Sequence, residues 1–455
     1  MEIKNIKAVY FVGIGGIGMS ALARYFKVMG YEVAGYDRMS SPLTRKMTDE
    51  ERFEITYEDD VKSIREVFRD REHTLVVYTP AVPQENRILS FFRTNGYALH
   101  KRAEVLGFLS RSKKALCVAG THGKTTTTTM LAFLLNRSHV GCSAFLGGIS
   151  SNFGTNLLID KNSDYVVIEA DEYDRSFLHL HPEIAVITAM DADHLDIYGT
   201  REHLIEAFEE FALQTRGELF LRKGLKLKKR VITGYYAAEE KTDYYADRLR
   251  VDNGSYLFDY IGKDVEIKDL RMCFPGRVNV ENATAAITVA LSVGMTPEEI
   301  RVALPLFKGV SRRFDVHVKN DRLIYIDDYA HHPREIEASL SSIREMWPGK
   351  KLTVAFQPHL YSRTNDFYPE FAKSLNLADQ VILLDIYPAR EQPIPGVTSG
   401  LIADRLKVPF VRVTKEEFPV YVKENVKEGI FMTVGAGDID RFIPVFTEMF
   451  GGVGC

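Results

Sequence analysis

The chain has 455 residues, of which 45% are hydrophobic and 26% charged, and its formal net charge at pH 7 is −4. At roughly 100–200 residues per domain, this length favours about three domains. A nearly neutral chain lacks the basic footprint of a nucleic-acid-binding protein. No apolar stretch approaches the ~20 residues needed to span a bilayer, so the composition predicts neither a nucleic-acid nor a membrane partner.

The four cysteines are scattered without a Cys-x-x-Cys pair, which favours neither a disulfide framework nor a zinc site. The N-terminus runs directly into a strand and a glycine turn, without the charged segment and apolar core of a signal peptide. We therefore expect a cytoplasmic protein, either a monomer or a weak homodimer. Strand-like runs alternate with helix-like segments throughout, which predicts an α/β fold.

The first segment predicts a βαβ unit. A strand at 8–12 precedes a glycine-rich turn at 13–18 and a helix that runs to Met29, and a second strand at 31–35 leads to Asp37. The turn fits G-x-G-x-x-G, a pattern that lets the backbone approach a pyrophosphate at a helix N-terminus. Because any nucleoside diphosphate could bind there, a nicotinamide-dependent oxidoreductase stays open as an alternative.

A second unit is predicted to follow a linker at 110–114. Its first strand, 115–119, leads into Gly120-Thr-His-Gly-Lys-Thr125 and the start of a helix. Backbone N–H groups of such a turn cradle phosphates, Lys124 can reach the β- and γ-phosphates, and the Thr125 hydroxyl can bind Mg²⁺. Val118 stands where the general P-loop motif has glycine, so the match to that motif is incomplete.

Acidic residues follow two further predicted strands. Glu169 ends the strand 165–169, a position that suits a Mg²⁺ ligand facing the P-loop. His194 follows the strand 184–188 and lies between Asp193 and Asp196, so it could bind a metal or orient a nucleophile. The alternative for both segments is a solvated loop.

A third α/β unit is predicted from about Ser311. The segment 327–333 closes one of its strands and could supply a ribose-binding carboxylate and histidines near a reacting centre. It could equally begin a helix, with Asp328 as the cap and Pro333 in the first turn. Arg312 and Arg313 could stabilise a transferring phosphoryl group, or simply form salt bridges.

Taken together, these motifs resemble the Mur ligase family over essentially the whole chain. The glycine turn is similar to the UDP-sugar site of that family, and residues 120–126 are similar to its shortened P-loop, which accounts for Val118. The resemblance implies three α/β domains. They are a Rossmann-like UDP-sugar-binding domain at 1–109, a central P-loop ATP-binding domain at 110–310, and a Rossmann-like domain at 311–455 for the amino acid and for closure over the nucleotide.

The resemblance also implies roles for particular residues. The implied UDP-sugar contacts are Gly15, Gly16, Ile17, Gly18 and Asp37. The implied ATP contacts are Gly120, Thr121, His122, Gly123, Lys124, Thr125, Thr126, Asn279, Asn282, Arg313 and Asp328. The implied Mg²⁺ ligands are Thr125, Glu169 and His194, and the implied catalytic residues are Lys124, Glu169, His194 and Arg313. The region near the amino acid contains His332, His359 and Arg363, although Leu360 stands where the family usually has arginine.

The activity that the resemblance implies is formation of an amide bond between L-alanine and UDP-N-acetylmuramate in peptidoglycan precursor synthesis, with ATP and Mg²⁺ as cofactors. The sugar carboxylate would be activated as an acyl phosphate, and a hinge near 309–313 would close the third domain over the site. The alternatives are a ligase that recycles a tripeptide onto the same sugar, the oxidoreductase, and a nucleotide-dependent regulatory module.

Overall fold

The computed structural model describes residues 5–191, 195–228, 232–252, 254–389 and 391–451. Within these ranges, strands and helices alternate and form three sheets of five, ten and six strands. The predicted α/β fold class with three sheet-containing units is confirmed. Short 3₁₀ helices also occur, at Val61–Ser63, Glu66–Phe68, Tyr173–His179, Leu304–Leu306 and Asp438–Phe442. In the described part of the chain, no helix has the length and apolar character needed to cross a membrane.

The N-terminal sheet carries the glycine turn at the end of its central strand. Its strands are β1 (Ala8–Val12), β2 (Glu32–Tyr36), β3 (Glu54–Thr56), β4 (Thr74–Tyr78) and β5 (Ala98–Lys101). Its helices are α1 (Ile17–Val28), α2 (Pro42–Asp49), α3 (Arg87–Thr94) and α4 (Arg102–Ser112). All strands are parallel, in the order β3-β2-β1-β4-β5. Every residue of β1 is buried, as expected for a parallel sheet with helices on both faces.

The predicted linker at 110–114 is wrong. Helix α4 continues to Ser112, and the next strand begins at Lys114. The physical reason is a tertiary contact, because Ser110 is fully buried and its hydroxyl accepts a hydrogen bond from the His181 N–H at 3.0 Å.

The central sheet has ten strands. They are β6 (Lys114–Ala119), β7 (Ser143–Ser150), β8 (Thr155–Leu158), β9 (Tyr165–Ala170), β10 (Ile184–Ile187), β11 (Glu218–Arg222), β12 (Gly234–Ala238), β13 (Tyr244–Asp252), β14 (Ser255–Ile261) and β15 (Glu266–Met272). The helices are α5 (Lys124–Asn136), α6 (Leu195–Tyr198), α7 (Arg201–Leu213), α8 (Arg277–Ser292) and α9 (Pro297–Ala303). The order is β15-β14-β13-β12-β11-β10-β6-β9-β7-β8. Strand β6 is parallel to both neighbours, so the carboxyl ends of β6, β9 and β10 meet at one edge.

The C-terminal sheet has six strands. They are β16 (Asp315–Lys319), β17 (Leu323–Asp328), β18 (Leu352–Phe356), β19 (Gln380–Leu383), β20 (Phe410–Arg412) and β21 (Gly429–Val434). The helices are α10 (Pro333–Met346), α11 (Tyr361–Leu375), α12 (Gly400–Ala403), α13 (Phe418–Asn425) and α14 (Ile443–Met449). The order is β16-β17-β21-β18-β19-β20, with only the β16–β17 pair antiparallel among the described pairs. His332 caps α10, so the alternative in which Asp328 caps that helix is wrong.

Strand β17 contains a buried carboxylate near its carboxyl end. Asp327 is fully buried, and the Thr433 hydroxyl donates a hydrogen bond to its Oδ1 at 2.6 Å. The Arg312 Nε lies 3.5 Å from the other oxygen. Burial is the largest influence, and it raises the pKa of Asp327 to about 7.

This raised pKa makes stability depend on pH. The unfolded carboxyl has a pKa of roughly 3.9, so between about pH 4 and the folded pKa the native state binds more protons. The protonated Asp327 carboxyl therefore stabilises the native state fully below the unfolded pKa, and this stabilisation is lost as the pH rises through about 7. In Asp327→Asn, which keeps the acceptor for Thr433, we expect the melting temperature relative to native protein to be higher at pH 8 than at pH 5. A difference that stays constant across this range would contradict the assignment.

Candidate active site

The turn between β6 and α5 has a backbone that few residues can adopt. Gly120 has φ +137°, and a Cβ there would lie 2.2 Å from the Thr188 Oγ1 and 2.7 Å from the Ala189 N. The Thr121 hydroxyl accepts a hydrogen bond from the Asp191 N–H at 3.1 Å. The turn is therefore packed tightly against the segment after β10, with the N-terminus of α5 pointing to the place where phosphates are expected.

Lys124, the first residue of α5, is held by two partners. Its ammonium donates hydrogen bonds to the Gly120 carbonyl oxygen at 2.7 Å and to the two Glu172 carboxylate oxygens at 2.8 and 2.7 Å. The Glu172 side chain has no exposed surface. Burial raises the pKa of Glu172, and the Lys124 charge opposes that shift. Glu172 was not among the residues predicted to contact Lys124.

Glu169, near the end of β9, contacts the P-loop as predicted for a metal-site carboxylate. It accepts hydrogen bonds from the Thr125 hydroxyl and from the Gly147 N–H, both at 3.0 Å. Burial raises the pKa of Glu169, while the Lys124 charge opposes the shift. A Cβ on Gly147 would lie 2.2 Å from both carboxylate oxygens, so glycine is needed there. Gly147 was not among the predicted site residues, although two consecutive glycines inside a strand indicate a close approach of another group.

The Thr125–Glu169 pair supplies oxygen donors of the kind that Mg²⁺ prefers. The third predicted ligand, His194, lies outside the described residues. Among the residues that are described, no cluster of three histidine, cysteine, aspartate or glutamate side chains is placed to hold a metal ion. The hydroxyl and carboxylate that are present fit Mg²⁺ in chemistry and proximity.

A cavity of about 330 Å³ lies between the central and C-terminal units, beside the P-loop. Two amides on α8 form part of its wall: Asn282 Nδ2 donates to Asn279 Oδ1 at 3.0 Å, and the Thr127 hydroxyl lies 3.2 Å from Asn282 Oδ1. The structure therefore brings together residues that the sequence analysis grouped as ATP contacts. Those that line the cavity are His122, Gly123, Thr126, Asn279, Asn282, Arg313 and Asp328.

The C-terminal wall of this cavity holds Asp328 and Arg313. Asp328 Oδ1 accepts a hydrogen bond from the Ala330 N–H at 3.2 Å, and Oδ2 accepts one from the Ser339 hydroxyl. Burial raises the pKa of Asp328, opposed by that hydroxyl and by the Arg313 charge. The Arg312 guanidinium instead binds the Gly435 carbonyl oxygen at 2.7 Å, within the C-terminal unit. Arg312 also forms salt bridges with Asp327 and Asp440, which is the alternative predicted for it, whereas Arg313 faces the cavity.

Helix α10 covers the cavity and touches the central unit at both ends. Near its start, the Glu335 Oε1 lies 3.4 Å from the His122 Nδ1, and Arg334 Nη1 lies 3.4 Å from Asp191 Oδ1. Near its end, Glu345 accepts a hydrogen bond from Arg277 at 2.9 Å and another from the Tyr256 hydroxyl at 3.1 Å. The structure is therefore in a closed arrangement. The predicted hinge at 309–313 stays a prediction.

The glycine turn of the N-terminal unit lies next to the central unit. The Gly15 N–H donates to Asp37 Oδ2 at 2.7 Å, which brings two of the five predicted UDP contacts together. The Ile17 carbonyl oxygen accepts a hydrogen bond from Asn156 at 3.1 Å. A cavity of about 230 Å³ connects this turn to the end of β9 and is lined by residues that include Ile17, Gly18, Arg102, Gly147 and Glu169. The Arg102 guanidinium packs against Gly18, another feature that the sequence analysis missed.

The three residues predicted to lie near the amino acid, His332, His359 and Arg363, lie in two different places. The His332 ring lies 6.4 Å from the His122 ring, so it is near the P-loop. His359 instead stacks on Tyr387 at 5.8 Å, with Arg363 Nη1 3.4 Å from its Nδ1. Burial, with the Arg363 charge, lowers the pKa of His359 to about 4, so this histidine is neutral at pH 7. Leu360, which immediately precedes α11, has φ +71°, a strained backbone conformation.

Known proteins resemble the chain along almost its whole length. Three family models match: the Mur ligase family catalytic domain at 8–114, the Mur ligase middle domain at 118–290, and the Mur ligase glutamate ligase domain at 312–438. The UDP-N-acetylmuramate–L-alanine ligase of Phocaeicola vulgatus is 51% identical over 98% of each chain. The ligase of that name from Parabacteroides distasonis is 48% identical over 99% of this chain and 98% of its own.

Among solved structures, the UDP-N-acetylmuramate-alanine ligase of Thermotoga maritima has a TM-score of 0.80 at 28% identity and covers 97% of this chain and 99% of that one. Its agreement with all three units supports the architecture described above. With three family models and near full-length relatives, the chain belongs to the Mur ligase family.

Proposed function

We propose that the chain is an ATP-dependent ligase that joins L-alanine to UDP-N-acetylmuramate in the synthesis of peptidoglycan precursors. The relatives that match it over nearly their whole length carry that name. One observation carries the proposal in the structure: the cavity at the glycine turn ends at Glu169, and Glu169 contacts Thr125 of the P-loop beside the second cavity. A UDP-linked carboxylate and an ATP phosphate can therefore meet there.

The proposed reaction has two steps. In the first, the carboxylate oxygen of the sugar acid attacks the γ-phosphorus of ATP, which gives an acyl phosphate and ADP. In the second, the neutral amine of L-alanine attacks the activated carbonyl carbon, loses a proton and expels inorganic phosphate. The activation is needed because a free carboxylate has no adequate leaving group. The Lys124 ammonium and the P-loop N–H groups would stabilise the negative charge on the transferring phosphoryl group.

We assign the remaining roles by position. Asn279 and Asn282 would contact the adenine and Asp328 the ribose, since all three line the cavity beside the P-loop. Arg313 would stabilise phosphate charge. Thr125, Glu169 and His194 would hold Mg²⁺, which when bound neutralises charge on the phosphate oxygens.

The UDP moiety is assigned to residues 1–109, with Gly15, Gly16, Ile17, Gly18 and Asp37 as contacts. ATP is assigned to 110–310, and closure and the amino acid to 311–455, near His332, His359 and Arg363. Helix α10 over the ATP cavity supports closure, because water would otherwise hydrolyse the acyl phosphate. We assign the chain to the cytoplasm, where such small, water-soluble substrates would be found, as a monomer or weak homodimer.

Phosphate release from ATP tests the proposal. UDP-N-acetylmuramate and L-alanine are supplied separately and together, with and without Mg²⁺, and the coupled product is identified by mass. Release that requires both substrates and Mg²⁺ is the expected result. Release with the sugar and an alanine-led tripeptide, but not with alanine, would instead favour the recycling ligase. Phosphate release that does not depend on either substrate would favour the nucleotide-dependent regulatory module.

A further inference from the structure

Three protein oxygen atoms surround the Lys124 ammonium. Its nitrogen lies 2.7–2.8 Å from the Gly120 carbonyl oxygen and from both oxygens of Glu172, and only 13% of the lysine side chain is exposed. An ammonium has three donors, so a phosphate oxygen must take over one of these contacts. The carboxylate and the phosphates of ATP therefore compete for the same cation.

Glu172 is itself fixed by its surroundings. Its side chain is fully buried, and its carbonyl oxygen accepts hydrogen bonds from the Tyr198 hydroxyl at 2.6 Å and from the Arg175 N–H at 3.0 Å. The two residues that follow Tyr173 have left-handed backbones, with φ +54° at Asp174 and +55° at Arg175. Such conformations persist only where the surroundings determine them, so the Glu172 carboxylate has little freedom to move away from Lys124.

We propose that Glu172 is a positioning residue: its carboxylate holds the Lys124 ammonium at the phosphate end of the ATP cavity, and it weakens ATP binding by competing for that ammonium. The held lysine needs little reorganisation when charge develops on the phosphoryl group, which is the condition for effective electrostatic stabilisation. This inference rests on the proposed function for its rate measurement, but not for its binding measurement.

Two opposite effects should appear in Glu172→Gln. Removing the competing negative charge should make Mg-ATP bind about tenfold more tightly, the size of a lost charged hydrogen bond. Because the ammonium is then held less firmly, kcat should fall by about tenfold or more. A variant that is merely damaged would not bind ATP more tightly while turning over more slowly.

The experiment measures Mg-ATP affinity by titration calorimetry without the other substrates, and kcat with saturating UDP-N-acetylmuramate and L-alanine. Glu172→Asp, which retracts the carboxylate by one methylene, should move both quantities in the same directions by smaller factors, and it carries the test if Glu172→Gln does not fold. Asp174→Asn is the matched control, because this neighbouring carboxylate lies 3.9 Å from Lys101 and should leave both quantities unchanged.

Unchanged or weaker ATP binding in Glu172→Gln, or an unchanged kcat, would overturn the inference. If the native protein formed no product, the proposed function would fail, and the affinities would still decide the role of Glu172.

Discussion

Lys124→Met is expected to lower kcat by about 10²–10³-fold, the usual effect of removing one preorganised donor to transition-state charge. Lys124 is the only lysine or arginine in the P-loop segment 120–126, and its ammonium lies at the N-terminus of α5. Methionine has a similar length and packs in its place, but it cannot donate to a phosphoryl oxygen. Lys161→Met, at an exposed lysine of the same unit, should leave kcat unchanged.

Lys124→Met should also destabilise the protein, because it leaves the buried Glu172 carboxylate without its counter-charge. Losing one partner of a buried pair costs about 3–5 kcal/mol, unless the remaining group takes up a proton. In Lys124→Met/Glu172→Gln the buried charge is gone, so the melting temperature should recover while kcat stays low. Melting curves and kcat for both variants therefore separate stability from catalysis. If Lys124→Met alone kept more than a tenth of native kcat, the proposed role of Lys124 would be refuted.

The sequence predicted the parts of the site that are local. A strand followed by Gly120-Thr-His-Gly-Lys-Thr125 indicates a phosphate cradle whatever the rest of the chain does, and Glu169 was found from the rule that strand ends meet at one sheet edge. The structure places the turn between β6 and α5 and Glu169 near the end of β9, with Thr125 and Glu169 in contact, while their roles stay predictions.

The parts that were missed depend on contacts between distant segments. Gly147 matters because β7 lies beside β9, and the strand order follows from packing of the whole unit. Glu172 is only three residues after Glu169, but its side chain direction depends on the kinked segment 173–179. The contact of Glu335 with His122 requires the C-terminal unit to be closed over the central one. Local patterns do not show which segments these residues contact; even the two consecutive glycines at 147 and 148 indicate a close approach without naming its partner.

Gly147→Ala is expected to disable the site while leaving the fold nearly intact. The added Cβ would lie 2.2 Å from both Glu169 carboxylate oxygens, so the carboxylate must retract and lose its contacts with the Thr125 hydroxyl and the Gly147 N–H. Gly147 does not have a positive φ, so alanine can adopt its backbone, and alanine is no worse than glycine in a strand. Displacing a metal-site group typically lowers metal affinity or activity by about 10–100-fold.

The measurement is kcat as a function of Mg²⁺ concentration, together with the melting temperature. Gly147→Ala should need more Mg²⁺ and reach a lower kcat, with a melting temperature close to native. Gly154→Ala is the opposite case: its φ is +64° and a Cβ there meets nothing within 4 Å, so only backbone strain of roughly 1–2 kcal/mol is added. Gly154→Ala should have a lower melting temperature than the native protein and keep native kcat. If Gly147→Ala instead kept native kcat at native Mg²⁺ concentration, the position of the Glu169 carboxylate at the end of β9 would not matter for the reaction, because the added Cβ must displace that carboxylate.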